Sequence, residues 1–265
     1  MLISLWLKLR LVLICVAILC SHGLAASELL RFEGRALDPE SQALLYTENH
    51  QILLDNTGNY LSSYVTYSDP YGKVFAEKTL DFTGSQFAPN LMFHDKRHNQ
   101  RITVSLKKEA TQEPYIRILI EEDSKRDESR VNVNSSDVVI DAGFDRLLAA
   151  RWQQLRQQKE LDFSFLDITR SKLIKFEAIE EESTLGRVNL ELHPRNFFID
   201  LLVEPISLEY DPKTQRLLRF KGLTNIEQYQ DGKRTYTNFI ADIYYQYQPV
   251  QAFTPIQTDL HSTYE

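Results

Sequence analysis

Cysteine is almost missing from this chain. Its 265 residues include two, Cys15 and Cys20, both inside an N-terminal apolar stretch. Once that stretch is removed no thiol remains, which excludes a disulfide framework, a thiolate nucleophile and a thiolate metal ligand. Cations are scarce as well, with 30 Lys and Arg against 37 Asp and Glu and a formal charge of −7. Without a basic cluster the chain is a poor match for a phosphate backbone, so nucleic acid is not an expected partner. Anionic membrane surfaces should repel it for the same reason. Gly-rich phosphate loops and the G-x-S-x-G nucleophile signature are absent too.

Long apolar runs are confined to the start. Leu11 to Cys20 is unbroken, with Lys8 and Arg10 before it and Ser21-His22-Gly23-Leu24-Ala25-Ala26 after it. The run falls short of the roughly 20 residues that a membrane-spanning helix needs. A positive flank, an apolar centre and small residues, in that order, make a secretory signal peptide. Residues 1–26 are expected to be cleaved after Ala25 or Ala26, leaving a periplasmic or secreted protein with no stable membrane span. The competing reading is an uncleaved N-terminal anchor. Cleavage also removes Lys8 and Arg10, so the remaining chain is more acidic still.

What remains reads as strands punctuated by turns. Leu29–Leu37, Ala43–Leu54, Tyr60–Tyr67 and Val74–Phe82 are bounded by Asp38-Pro39, Asp55-Asn56-Thr57-Gly58, Ser68-Asp69-Pro70-Tyr71-Gly72 and Gly84. Pro fixes φ and Gly permits φ > 0, which is why they mark turns. Shorter β-branched and aromatic runs follow at Asn90–His94, Arg101–Lys107 and Tyr115–Glu121. Residues Glu121–Ser136 are the most polar stretch and are expected to be an exposed loop, with Asn134-Ser135-Ser136 a formal glycosylation acceptor. Strands resume at Glu160–Asp167, Lys172–Glu180, Arg187–His193, Phe197–Val203, Ile206–Tyr210 and Arg216–Ile226. Asp231-Gly232 suits a two-residue hairpin turn before Thr235–Tyr247.

One segment has a helical period instead. After Asp141, a candidate N-cap, Phe144, Leu147, Leu148, Trp152 and Leu155 recur at helical spacing. The expected fold is therefore mainly β: a curved antiparallel sheet or incomplete barrel, with one long amphipathic helix from Asp141 to about Gln158 packed on its concave face. Residues 27–248 are expected to form a single β-rich domain, and 249–265 an extended or disordered tail.

Chemical motifs are weak. His94 and His98 are four apart, but Asp95 stands where a zinc protease needs Glu. In a β-patterned stretch those two residues would be roughly 13 Å apart, so a solvated turn is favoured over a metal site. Ser105-Leu106-Lys107-Lys108 matches Ser-x-x-Lys only formally, because it is not at a helix start. No catalytic residue, metal ligand or cofactor is assigned.

The informative residues are polar ones on the apolar parity of strands. Lys78 shares parity with Ala76, Leu80 and Phe82, and Glu48 and His50 share it with Leu44 and Tyr46. Inward charges are costly unless paired or wet. Two readings stand: an edge or strand end where the charges reach water, or a polar patch lining a concave cavity. On the second reading Trp152, Phe144 and Leu148 form apolar walls, while Lys78, His50, Glu48 and Arg219 orient a head group. Trp152 on the helix stripe reads first as a core anchor, with pocket lining as the lesser alternative.

Ser68-Asp69-Pro70-Tyr71-Gly72, Lys78-Thr79-Leu80-Asp81-Phe82, Asp141-Ala142-Gly143-Phe144-Asp145, Glu204-Pro205-Ile206 and Phe220-Lys221-Gly222-Leu223-Thr224-Asn225-Ile226 occur in that order. Together they resemble a family of secreted bacterial proteins of unknown function, over about Phe32 to Tyr247. The resemblance implies a Gram-negative envelope setting and carries over no functional residue. The architecture is also loosely similar to the periplasmic lipoprotein carriers, which are curved sheets closed over an apolar cavity. The leading functional expectation is a periplasmic binding or carrier protein for a lipid or other amphipathic envelope ligand. The alternatives are a non-catalytic interaction protein with an envelope protein partner, and a hydrolase acting on envelope polymers.

Overall fold

The computed structural model describes residues 27–109, 113–133, 137–182, 186–195, 205–230 and 233–253. The N-terminal apolar segment with Cys15 and Cys20, the Asn134-Ser135-Ser136 motif, the expected strand Phe197–Val203, the Asp231-Gly232 turn and residues 254–265 lie outside them.

The first half is a meander of β1 (Ser27–Leu37), β2 (Leu44–Leu54), β3 (Tyr60–Ser68), β4 (Val74–Asp81), β5 (Asn90–Asp95), β6 (Gln100–Lys107), β7 (Tyr115–Glu122) and β8 (Lys125–Asn132). Aspartates close several of its turns. Asp55 Oδ1 accepts the backbone N–H groups of Thr57 and Asn59 at 2.9 and 2.8 Å, and Asp69 Oδ1 those of Tyr71 and Lys73 at 2.9 Å each. This is the local bonding that lets Asp stand in for a turn's own backbone.

A short β9 (Val138–Val139) leads into two helices, α1 (Gly143–Ala150) and α2 (Trp152–Gln158). Seven strands follow: β10 (Glu160–Asp167), β11 (Lys172–Glu180), β12 (Val188–Pro194), β13 (Ile206–Tyr210), β14 (Leu217–Gln230), β15 (Lys233–Tyr247) and β16 (Gln251–Phe253). The strand order is β8-β7-β6-β5-β4-β3-β2-β1-β15-β14-β13-β12-β11-β10-β9, so two meanders join where β1 meets β15. β16 pairs with the start of β1. The first residues of the expected tail are therefore part of the sheet.

The sheet is curved and open. Its two ends, β8 and β9, come together through side chains: Val131 packs in one cluster with Val138 and Leu166, and Ser129 Oγ lies 2.6 Å from Ser171 Oγ. No backbone ladder joins β8 to β9 among the described residues. The expected loop over Glu121–Ser136 is instead largely the β7–β8 hairpin, paired from Tyr115↔Asn132 to Glu122↔Lys125. Its polarity misleads because β8 is an edge strand. Lys125, Arg126, Asp127, Glu128 and Arg130 suit an edge that must not pair with another chain, while Val131 alone is buried.

The long helix is also corrected. Its stripe is interrupted at Arg151, where φ −113° and ψ 19° leave the helical region, and the Arg151 guanidinium bonds Asp137 ahead of β9. The break lets α1 turn Phe144 toward Phe163, 4.9 Å between ring centroids, while α2 turns Trp152 toward Tyr210 at 5.9 Å. Leu147, Leu148 and Leu155 are fully buried between them, each worth roughly 1.5–3 kcal/mol of apolar transfer. Asp141 is not the N-cap: Ala142 holds that place and makes no side-chain cap bond.

β14 and β15 are the longest strands, and their far ends leave the sheet. Register shifts interrupt their pairing beyond Leu223. Past these bulges Ile226 packs with Tyr46, Val65, Tyr67 and Phe75, and Arg234 bonds Glu122 of β7. β7 is far from β14 in the strand order, so this hairpin crosses the concavity and covers one end of it.

Candidate functional site

The polar residues on the apolar parity are inside, in central strands rather than at edges. Lys78 on β4 is 7 % exposed. Its Nζ donates to Asp141 Oδ1 at 2.8 Å and Oδ2 at 3.0 Å. Asp141 also accepts the Ala142 backbone N–H at 2.8 Å and Asn225 Nδ2 at 3.1 Å. It does so at φ 48°, a left-handed conformation that Asp tolerates better than most residues. Burial alone would push the Lys78 amine down; the Asp141 carboxylate more than offsets it and holds the amine well above its ordinary value. The pair ties β4 and the β14 overhang to the start of α1.

Glu48 and His50 are one strand repeat apart on β2, and His50 Nε2 lies 2.8 Å from Glu48 Oε2. The His50 ring stacks on Phe32 at 4.2 Å and meets the edge of Tyr245 at 6.0 Å. Tyr245 donates its hydroxyl to Glu48 Oε2 at 3.3 Å. It reaches that atom by lying across Gly34, where a Cβ would stand 2.7 Å from its Cε1. A side chain at residue 34 would close this space.

Facing this wall is the polar side of α1. Asp145 accepts the Tyr210 hydroxyl at 2.7 Å, and the Arg146 guanidinium lies over the Tyr60 ring at 4.5 Å. Burial pushes Tyr60 up to about 12 and raises Asp145 and Tyr245 above their ordinary values. Yet these three residues, with His50 and Tyr247, are only half-buried. They form a half-covered polar and aromatic region between α1 and strands β1, β2, β3 and β15.

Asp145 gives this region a pH signature. A carboxyl whose folded pKa is raised contributes stability that is complete below the unfolded value near 3.8 and is lost as pH rises through the folded value. Asp145→Asn keeps an acceptor for Tyr210 and does not ionise. The variant's stability relative to the parent should therefore increase as pH rises from 4 to 8 in urea titrations. A pH-independent difference would show that Asp145 titrates as it does in the unfolded chain.

The other expected site residues are placed differently. Phe144, Leu148 and Trp152 belong to the packed cluster of α1, α2 and β10–β13, which does not include His50. They are core. Arg219 is on the outer face of β14, where Nε and Nη2 donate to Asp242 at 2.7 Å each and Nη1 to Glu209 at 2.8 Å. Its neighbour Phe220 is the residue packed inward. The structure thus brings Lys78, Glu48 and His50 to the interior and separates them from Arg219. Tyr60, Asp145, Arg146, Tyr245 and Tyr247 were not anticipated. The parity of Ala241, Ile243, Tyr245 and Tyr247 was a usable signal for two of them. For Asp145 there was none, since a lone acid beside an apolar stripe reads as solvated. Among the described residues no group of three His, Cys, Asp or Glu is placed to hold a metal ion.

The chain matches no family model and no curated protein. Among solved structures it is similar to a β-barrel-like protein of a domain of unknown function, DUF1849, from Brucella abortus. That match has 6% identity, covers 87% of this chain and 98% of the other, and has a TM-score of 0.37.

Proposed function

We propose that this is a non-catalytic binding or carrier protein of the bacterial envelope, acting in the periplasm on an apolar or amphipathic ligand held inside the curved sheet. One observation carries the reading: deep in the fold the polar side of α1 meets aromatic side chains, Asp145 taking the Tyr210 hydroxyl and Arg146 lying over the Tyr60 ring. Phe32, Tyr60 and Tyr247 supply flat apolar surface, and His50, Asp145 and Arg146 supply directed polar groups, the composition expected of a ligand pocket. The N-terminal signal pattern and the resemblance to secreted bacterial proteins support the compartment.

Protein purified gently from its host should show, in native mass spectra, a bound mass that disappears on denaturation. Filling the chamber by Gly34→Leu should remove that mass. A folded protein that is always ligand-free ends the proposal.

A further inference from the structure

A second site lies at the end of the sheet covered by the β14–β15 hairpin. A cavity of about 280 Å³ opens there between the start of β2, the β3–β4 turn, the β5–β6 turn and the overhanging hairpin. Its floor is apolar, from Leu45, Phe75 and Phe239, and Val74 at its side is 38 % exposed. Its polar lining is Lys73, Lys96 and Arg97 against Asp69.

Arg97 is held as a rigid plate. Its guanidinium lies between the rings of Phe75, 4.2 Å from the centroid, and Tyr229, 4.6 Å away. Nε donates to both Asp95 oxygens at 2.9 and 3.1 Å, and Nη2 to Oδ2 at 2.5 Å. Nη1 donates to no described residue. Lys96 is taken by Glu77, and Asp69 is occupied with its own turn. Lys73 bonds no carboxylate among the described residues. The cavity therefore has two free donor atoms beside an apolar floor: the Lys73 ammonium, and Nη1 of a guanidinium whose position is fixed by its pairing with Asp95. A preorganised guanidinium N–H together with an ammonium suits the two oxygens of a carboxylate.

We infer that this cavity binds a small carboxylate with a short apolar body, which lies on Phe75 and Phe239 while Arg97 Nη1 and Lys73 hold the anion. The volume is just below the usual range for drug-sized ligands, which keeps the apolar body short. The inference does not rest on the interior chamber and stands or falls apart from it.

The test is calorimetric titration of the purified protein with sodium octanoate, and with 1-octanol as the uncharged counterpart. Octanoate should bind saturably and octanol at least tenfold more weakly. Lys73→Glu should weaken octanoate at least tenfold, and Val74→Trp, which fills the mouth, should abolish it. Both positions are exposed, so folding is retained, which circular dichroism verifies. Asp145→Asn, in the interior chamber, should leave octanoate affinity unchanged. Absence of saturable binding overturns the assignment. So does equal binding of octanol, binding that survives both rim variants, or binding that Asp145→Asn removes.

Discussion

Lys78→Met should cost about 3–5 kcal/mol, because it leaves the Asp141 carboxylate buried without its counter-charge. Methionine matches the length and apolar stem of lysine, so little of the loss comes from packing. Asp141 then keeps the Ala142 N–H and Asn225 as donors, but neither is charged. Combining Lys78→Met with Asp141→Asn removes both charges while retaining a residue that accepts φ 48°, and should recover a large part of the loss. Urea unfolding of the two single variants and the double isolates the coupling. A single-variant loss below about 1 kcal/mol would place the pair in water, as for surface ion pairs, and contradict the interior position on which the chamber depends.

Gly143→Ala is the second large effect, and its sign is diagnostic. By helix propensity alone, alanine is better than glycine by up to about 1 kcal/mol. In this fold a Cβ at residue 143 would stand 1.9 Å from the carbonyl oxygen of Phe87. That carbonyl cannot simply move aside, since it accepts the Ile140 N–H at 3.0 Å. The expected outcome is destabilisation at or above the ~3 kcal/mol upper end usual for overpacking, with loss of the α1 position against the β4–β5 loop. Thermal unfolding is sufficient to decide it. A stabilised Ala variant would show that α1 sits further from Phe87 than the geometry states.

Most strands were legible from local pattern. Lys172–Glu180, Glu160–Asp167 and Ile206–Tyr210 match the expected bounds, because alternation and turn residues act within a few neighbours. The helix failed at one residue. Nothing near Arg151 in sequence breaks a helix; its pairing with Asp137 and the direction changes of Phe144 and Trp152 are tertiary. β8 failed for a related reason: a strand as charged as Lys125–Arg130 is a strand only because β7 offers it a complete ladder.

The site divides the same way. Parity put Lys78, Glu48 and His50 on the inner face, since side-chain direction alternates strictly along a strand. It could not say whether that inner face reached water at an edge or lay in the middle of the curved sheet. That is a property of strand order, and the order is set by β1 meeting β15, residues more than two hundred positions apart. By itself the sequence determined the β class, the bounds of most strands to within a few residues, the absence of thiol chemistry outside the first 26 residues and the inward set of polar residues. Only the tertiary structure decided that Asp141 is the partner of Lys78, that the helix breaks, that Arg219 faces outward and that the β14–β15 hairpin covers the end of the curve. The first group follows from interactions between near neighbours along the chain; the second needs long-range contacts whose partners no local pattern names.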